Sequence, residues 1–260
     1  MEQFKSKVAL ITGAANGIGR EIALQLDELG LEKLILLDID QSSLEDLSSI
    51  LKTSNDVFCL DLSTDVTSND EFIKFVDGRR IDILIANAGL GGVNPGDSFS
   101  EEINRKMMSV NFFGTTGIIS LILPQMIERK NGHIVGVASL AGLRGMPQAA
   151  SYSASKAAQI TFLESLRLDV KQHGVRVLTV FPGFIATKMT NHDEFKMPFM
   201  ISPQKTAEKI ISSIKKNKRH VYFPFPINVL SLFNRFLPAV IYEFIILLIN
   251  PPEKKRPKIF

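Results

Sequence analysis

The stretch VALITGAANGIG, residues 8–19, decides the fold of this chain. Its apolar run at 8–11 is typical of a strand buried on both faces. The glycines that follow allow a tight turn whose backbone N–H groups can approach a phosphate at a helix N-terminus. Their spacing is G-x-x-x-G-x-G rather than the commoner G-x-G-x-x-G, and a plain strand–helix connection is the alternative. We predict a dinucleotide-binding turn with contacts from Gly13, Asn16, Gly17, Ile18 and Gly19.

Strand and helix patterns alternate after this turn. Short β-branched or apolar runs lie at 8–11, 33–37, 56–60, 82–86, 133–138, 175–181 and 220–223. Amphipathic stretches of helical length lie at 17–30, 41–52, 68–77, 101–129, 152–173 and 203–217. Repeated strand–helix–strand units produce a doubly wound parallel sheet with right-handed crossovers. We therefore predict the α/β class, with seven parallel strands and helices on both faces of the sheet.

Composition narrows the class of protein. The chain has 260 residues, of which 45% are apolar and 22% charged, as in ordinary globular proteins. A net charge of +3 is too small to indicate a nucleic-acid-binding protein. Cys59 is the one cysteine, so an internal disulfide is excluded, and its apolar neighbours predict a core position. The N-terminal residues do not match a signal peptide, so we expect a cytoplasmic protein, and we identify no metal site.

Asp38 ends the second predicted strand, 19 residues after Gly19. An acidic residue about 20 residues beyond the glycine turn binds the ribose hydroxyls of NAD and repels the 2′-phosphate of NADP. Asn16 and Ile39 offer no positive charge to attract that phosphate. We predict NAD as the cofactor, with NADP less favoured; a simple turn-capping role for Asp38 is the alternative.

Tyr152 and Lys156 lie four residues apart, and Ser139 precedes the tyrosine by thirteen residues. Residues four apart share one face of a helix. A fixed positive charge beside a phenol lowers its pKa, and a tyrosine altered in this way can act as a general acid or base near neutral pH. The spacing alone is common on helix surfaces, so its context decides the interpretation.

Together these motifs resemble the short-chain dehydrogenase/reductase family, in its compact single-domain branch. The resemblance covers about residues 5–225. It implies a Rossmann fold with strand order 3-2-1-4-5-6-7 and NAD(P)-dependent hydride transfer to or from an alcohol carbon. One departure is Ala86, where the family often has a second asparagine. The motifs that carry the resemblance are TGAANGIG at 12–19, DL at 61–62, NAG at 87–89, VN at 110–111, Ser139, Tyr152 with Lys156, and PGFIAT at 182–187.

The resemblance also implies a role for each matched residue. Tyr152 would be the general acid or base, Lys156 would lower its pKa and bind the nicotinamide ribose, and Ser139 would polarise the substrate oxygen. Asn111 would break the 101–129 helix and anchor a water that links Lys156 to solvent. Taken singly, Ser139, Asn111 or Thr187 could instead be an ordinary strand-end, helix-surface or turn residue. The further cofactor contacts would come from Asp61, Leu62, Asn87, Ala88, Gly89, Pro182, Gly183, Ile185 and Thr187.

The expected substrate pocket is built by the segments 90–98, 140–148 and 184–200. The last is rich in phenylalanine and methionine, which favours a mobile apolar lid and a hydrophobic substrate that is lipid-, steroid- or isoprenoid-like. Packing of these residues on the core is the alternative, and exposure in a loop is an alternative for Arg144 and Gln148. The predicted substrate contacts are Ser139, Leu140, Arg144, Gln148, Phe184 and Met189.

Residues 226–260 extend beyond the predicted NAD-binding catalytic domain, residues 1–225, without forming a separate domain. An apolar stretch interrupted by Arg235, Pro238 and Glu243 is followed by four basic residues between 254 and 258. Three interpretations remain open: packing over the pocket or core, a subunit interface, and peripheral docking of 227–258 on an anionic membrane. The family resemblance implies a homodimer or homotetramer.

Two further functions compete with an NAD-dependent alcohol dehydrogenase or ketone reductase. One is an NADP-dependent carbonyl reductase. The other is a catalytically inactive nucleotide sensor or scaffold, which the complete set of Asn111, Ser139, Tyr152 and Lys156 argues against. Sugar-nucleotide epimerases also use tyrosine, lysine and bound NAD, but they resemble longer chains with a separate substrate domain.

Overall fold

The computed structural model describes residues 4–186 and 199–249 of the chain. Its strands form one seven-stranded sheet with the predicted order β3-β2-β1-β4-β5-β6-β7, and every neighbouring pair is parallel. The strand order reverses between β1 and β4, where a ligand crevice is expected in a doubly wound sheet. The strands are β1 Val8–Thr12, β2 Lys33–Asp38, β3 Asn55–Cys59, β4 Ile83–Ala86, β5 Gly132–Val137, β6 Val175–Pro182 and β7 His220–Phe223.

Helices cover both faces of this sheet and continue beyond its last strand. Helices α4 and α7 begin at residues 101 and 203, where the predicted helical stretches begin. Their first turns are capped by the hydroxyls of Ser100 and Ser202, which accept the backbone N–H groups of Ile103 and Lys205. Between the described ends, the α-helices are α1 Gly17–Asp27, α2 Gln41–Ile50, α3 Asp70–Val76, α4 Glu101–Met108, α5 Thr115–Glu128, α6 Ala150–Val170, α7 Pro203–Lys215, α8 Ile227–Asn234 and α9 Ala239–Ile249.

Strand residues alternate between two apolar cores. Ile11 and Leu36 belong to the cluster that includes residues of α1 and α7, whereas Leu10 and Ile35 belong to the cluster that includes residues of α5 and α6. All five residues of β1 are buried, as expected for a strand covered on both faces. Burial of both faces explains why the strands read as continuous apolar runs rather than as alternating patterns.

The predicted 101–129 helix is divided in the structure. A π-helical segment, Ser109–Gly114, separates α4 from α5 and contains Asn111. Such segments are rare and occur frequently at functional sites. The break expected at Asn111 is therefore present, and its form is a widened helical turn.

Cys59 was predicted as a core residue, and this was wrong. Its side chain is exposed because β3 is the edge strand of the sheet and Cys59 is its last residue. The thiol donates a weak hydrogen bond to the Ile39 carbonyl at 3.4 Å.

Candidate active site

A cleft of about 630 Å³ opens at the carboxyl ends of the strands. The structure brings into it most of the residues that the sequence analysis assigned to the cofactor and to catalysis. They come from the carboxyl ends of strands β1 to β6, from the loops that follow them, and from α1 and α6. The predicted residues that line the cleft are Gly13, Asn16, Gly17, Ile18, Asp38, Asp61, Leu62, Asn87, Ala88, Gly89, Ser139, Tyr152, Lys156, Pro182, Gly183 and Ile185.

The glycine turn is folded tightly on itself. Gly13 and Gly17 have φ values of +65° and +56°, a region that side chains disfavour. A Cβ atom at Gly19 would overlap the Gly13 carbonyl oxygen. The Asn87 amide donates to the carbonyl oxygens of Thr12 and Gly13 at 3.1 and 3.2 Å. Asn87 therefore fixes the turn from the neighbouring strand, and α1 begins directly behind it, where a pyrophosphate would be held.

The Asp38 carboxylate lies between this turn and the start of α2. Its Oδ2 accepts the Ala15 N–H at 2.9 Å, and its Oδ1 accepts the Asp40 N–H at 3.1 Å. The cap of α2 is Asp40, whose carboxylate accepts the Ser43 N–H. Asp38 thus supports the following turn and also lines the cleft, so the capping contact and the predicted cofactor contact are compatible. The glycine cradle and this carboxylate together fit an adenine dinucleotide.

Ser139 and Tyr152 meet at the inner end of the cleft. The Ser139 side chain makes a hydrogen bond with the Tyr152 hydroxyl, which lowers the tyrosine pKa, but burial has the larger effect and raises it. The sequence-based expectation of a lowered tyrosine pKa is therefore wrong for this arrangement. The physical reason is that burial of the phenol disfavours its charged form more strongly than the hydrogen bond with Ser139 favours it.

The Lys156 ammonium group is bound inside the protein. Its Nζ donates to the Val137 carbonyl at 2.9 Å and to the Gln159 Oε1 at 3.1 Å. Lys156 is only 4% exposed, and burial lowers its pKa to about 8. Lys156 is consequently charged at neutral pH and becomes neutral above about pH 8, where enzyme activity can still be measured.

Asn111 forms hydrogen bonds that hold the loop after β4 in place. Its Oδ1 accepts the Leu90 N–H at 2.7 Å, and its Nδ2 donates to the Leu90 carbonyl at 2.9 Å and to the Ser155 hydroxyl at 2.9 Å. A Cβ atom on Gly89 would lie 3.1 Å from Asn111 Oδ1 and 3.3 Å from Lys156 Nζ. Asn111 therefore stands beside the lysine and positions the backbone of the cleft; its predicted link to a water stays a prediction.

Three buried residues of this network were missed by the sequence analysis: Gln159, Thr115 and Ser155. Gln159 accepts from Lys156 and donates to the Thr115 hydroxyl at 3.3 Å, and Thr115 donates to the Asn111 carbonyl at 3.0 Å. Gln159 is three residues after Lys156, so the helical spacing that pairs Tyr152 with Lys156 could also have identified it. Thr115 had no such signal, because its contact depends on how α5 packs beside α6.

The predicted substrate residues do not all lie at the cleft. Of these, Ser139 lines the cleft, whereas Leu140 packs in a small apolar cluster with Ile160 and Phe181. Arg144 does not face the cleft: its guanidinium group donates to the carbonyl oxygens of Asn234 and Leu237. The expected polar contact from Arg144 to a substrate is therefore replaced by contacts to the C-terminal helices.

Gln148 and Phe184 form backbone hydrogen bonds with neighbouring segments. The Gln148 carbonyl accepts the Asn94 N–H, and the Phe184 carbonyl accepts the Ile201 N–H. Thr187 and Met189 lie outside the described residues. Within residues 4–186 and 199–249, His, Cys, Asp and Glu form no group of three that could hold a metal ion.

Comparisons with known proteins place the chain in one enzyme family. The family model described as short chain dehydrogenase matches residues 7–197. An uncharacterized oxidoreductase of Myxococcus xanthus is 35% identical over 248 residues, covering 94% of this chain and 97% of that protein. The dehydrogenase/reductase SDR family member 7C of Xenopus tropicalis is 30% identical, covering 93% and 84%.

A solved structure is also similar over nearly the whole chain. It is a short-chain dehydrogenase from Burkholderia cenocepacia in complex with NADP, with a TM-score of 0.80 and 25% identity. The alignment covers 94% of this chain and 98% of that one.

Proposed function

This chain belongs to the short-chain dehydrogenase/reductase family and is an oxidoreductase, and from that premise we propose that it transfers a hydride between NAD and a hydrophobic secondary alcohol or ketone. The observation that carries the proposal is the Tyr152 hydroxyl, hydrogen-bonded to Ser139 at the inner end of a dinucleotide-sized cleft. The bound nicotinamide would take or give the hydride.

The protein's own part in this reaction is proton transfer. In alcohol oxidation the Tyr152 phenolate takes the substrate hydroxyl proton, and in ketone reduction the Tyr152 phenol gives its proton to the forming alkoxide. Ser139 donates to the same substrate oxygen and holds it beside the phenol. The positive charge of Lys156 stabilises the phenolate that forms when the proton leaves Tyr152. Asn111 and Gln159 keep Lys156 and the Leu90 backbone in place for this exchange.

An apolar substrate is supported by the surface around Ser139. Besides Ser139 and Tyr152, the cleft is lined by the apolar side chains of Leu90, Val110 and Ile185. Such a surface gives little binding energy to a sugar, whose hydroxyls would lose hydrogen bonds to water. Hydrophobic alcohols of increasing chain length, polycyclic alcohols and polyols, each assayed with NAD, test this point. Turnover of the polyols without turnover of the hydrophobic alcohols would contradict it.

The preference for NAD rests on the Asp38 carboxylate. Three of the similar solved structures are in complexes with NADP, so a preference for NADP is the competing possibility. We expect the wild-type protein to use NAD at least about tenfold more efficiently than NADP, because a carboxylate near the adenosine ribose repels a 2′-phosphate. Asp38→Asn should reduce this ratio mainly by improving kcat/KM with NADP.

Asparagine keeps the size of the side chain and removes its charge. Its amide oxygen can still accept the Ala15 N–H, which is held at 2.9 Å in the wild-type protein, while the Asp40 N–H loses its acceptor. Asp46→Asn, a neutralised carboxylate in α2 outside the cleft, is the control and should leave the ratio unchanged. A wild-type preference for NADP would refute the NAD assignment while leaving the dehydrogenase chemistry intact.

The pH dependence of ketone reduction follows from Lys156 and Tyr152. Burial raises the pKa of Tyr152, so the proton donor stays protonated through the neutral range. Burial lowers the pKa of Lys156 to about 8, so its charge is present below that pH and lost above it. We expect kcat/KM to be constant in the neutral range and to fall above about pH 8, as measured from initial rates across the range.

Gln159 offers a direct check on this assignment. Gln159→Leu removes an acceptor that stabilises the charged ammonium, so the fall in kcat/KM should begin at a lower pH than in the wild type. Gln41→Leu, at an exposed glutamine in α2, should leave the profile unchanged. If Gln159→Leu lowers the rate equally at every pH, the residue supports the fold and does not influence Lys156.

A further inference from the structure

We propose that the C-terminal helix pair, defined as residues 225–249 with α8 (Ile227–Asn234) and α9 (Ala239–Ile249), docks this protein on an anionic membrane surface. The proposal goes beyond the function assigned to the cleft, because it concerns a separate surface and makes no use of Tyr152 or NAD. It selects one of the interpretations that the sequence left open for residues 226–260.

The helix pair exposes an unusual concentration of large apolar side chains. Phe236 is 81% exposed, Val240 78% and Phe244 71%. Scattered apolar residues are normal on protein surfaces, but a concentration of them within one short segment is typical of an interaction site. All the large apolar residues exposed between 225 and 249 belong to this group: Phe225, Val229, Leu230, Phe233, Phe236, Val240, Ile241, Phe244, Leu247, Leu248 and Ile249.

Polar contacts with Arg144 and Gly145 hold one side of the helix pair against the domain. Tyr242 is 8% exposed, and its hydroxyl donates to the Gly145 carbonyl. The Arg144 guanidinium carbon lies 3.9 Å from the centre of the Tyr242 ring, and the same group donates to the carbonyls of Asn234 and Leu237. Because the polar contacts point inward, the apolar side chains face outward as a consequence of the fold.

The lengths of the helices favour lying on a membrane over crossing it. α9 has 11 residues, whereas a spanning helix needs roughly 20. Pro238 lies between α8 and α9 and cannot donate the hydrogen bond that would join them into one longer helix. In the described parts of the chain, Glu101–Glu128 is long and apolar enough to span, but half of its apolar window is buried in the domain, as in a core helix.

The positive charge of the sequence after α9 favours an anionic lipid surface as the binding partner of the helix pair. The sequence after α9 contains Lys254, Lys255, Arg256 and Lys258, with Glu253 as the one acidic residue beyond residue 249. A cluster of basic residues that follows an interfacial helix in the sequence is attracted to anionic lipids. A second copy of this chain carries the same excess of basic residues after α9, so charge favours an anionic lipid surface over self-association.

Vesicle flotation with the full-length protein tests the proposal. Wild-type protein should float with vesicles that mix phosphatidylglycerol with phosphatidylcholine, and bind pure phosphatidylcholine vesicles about tenfold less. The double variant Phe236→Ser/Phe244→Ser should lose about tenfold or more of the binding to anionic vesicles, because two exposed apolar anchors are removed. Replacing the four basic residues by glutamine should remove the preference for anionic lipid.

Ile50→Ser is the matched control, since Ile50 is 54% exposed in α2 and lies outside the helix pair. It should bind vesicles like the wild type. Thermal unfolding and NAD affinity, measured for every variant, confirm that the fold and the cleft are intact. Failure of the wild type to bind anionic vesicles, or unchanged binding by the double variant, overturns the proposal. Binding that is independent of the phenylalanines together with a lower oligomeric mass of the double variant would assign the helix pair to a subunit interface.

Discussion

Tyr152→Phe should lower kcat/KM for alcohol oxidation by about two to four orders of magnitude, the usual contribution of a positioned general acid or base. The phenylalanine keeps the ring in place but removes the oxygen that hydrogen-bonds Ser139 and exchanges the substrate proton. Affinity for NAD should change little, because the glycine turn, Asp38 and Lys156 are untouched. Steady-state kinetics together with a direct NAD titration separate these two effects.

Tyr222→Phe provides a matched control for this variant. Tyr222 is also a partly buried tyrosine, and its ring stacks on Phe181 at 4.2 Å between centres. It lies in β7 rather than along the cleft, so losing its hydroxyl should leave the rate nearly unchanged. Retention of wild-type turnover by Tyr152→Phe would remove the tyrosine from the mechanism and favour a different proton donor.

Gly19→Ala should weaken NAD binding by roughly 5- to 150-fold, the range that corresponds to an overpacking cost of about 1–3 kcal/mol. A Cβ atom at this position would overlap the Gly13 carbonyl oxygen and lie 2.8 Å from the Asn87 amide nitrogen. The turn must therefore open, which displaces the N–H groups that would hold the pyrophosphate. Isothermal titration with NAD measures the loss.

The control for a glycine substitution is Gly96→Ala. A Cβ atom there has no neighbour within 4 Å, so the change should affect neither stability nor NAD affinity by a measurable amount. Unaltered NAD affinity in Gly19→Ala would mean that the turn after β1 does not form the pyrophosphate site. The melting temperature of both variants should be compared, so that a general loss of stability is recognised.

Local patterns were sufficient to predict the sheet and much of the cleft. Strands such as β1 and β4 are buried on both faces, so their apolar runs identify them directly. The residues that line the cleft follow the strand ends, and in a parallel sheet all these ends meet at one edge. Asp38, Asn87 and Ser139 could therefore be brought together from sequence order alone.

The parts that could not be predicted depend on contacts between distant segments. Cys59 lies in an apolar run, but the position of β3 at the sheet edge leaves it exposed. The direction of the Lys156 ammonium group is set by the Val137 carbonyl and Gln159, so the tyrosine pKa could not be derived from helical spacing. Arg144 meets carbonyl oxygens about 90 residues later in the chain, a pairing without any local signal.

The contacts of Arg144 also limit how far this enzyme can be shortened. Ile227 packs against the apolar cluster of Leu140 and Phe181, and Arg144 and Gly145 bond to groups between 234 and 242. Truncation after residue 225 would leave a guanidinium group without its acceptors directly behind the loop that carries Ser139. We therefore expect a catalytic unit that ends at residue 225 to be less stable than one that extends to Tyr242, and a fusion or a circular permutation should join the chain beyond that residue.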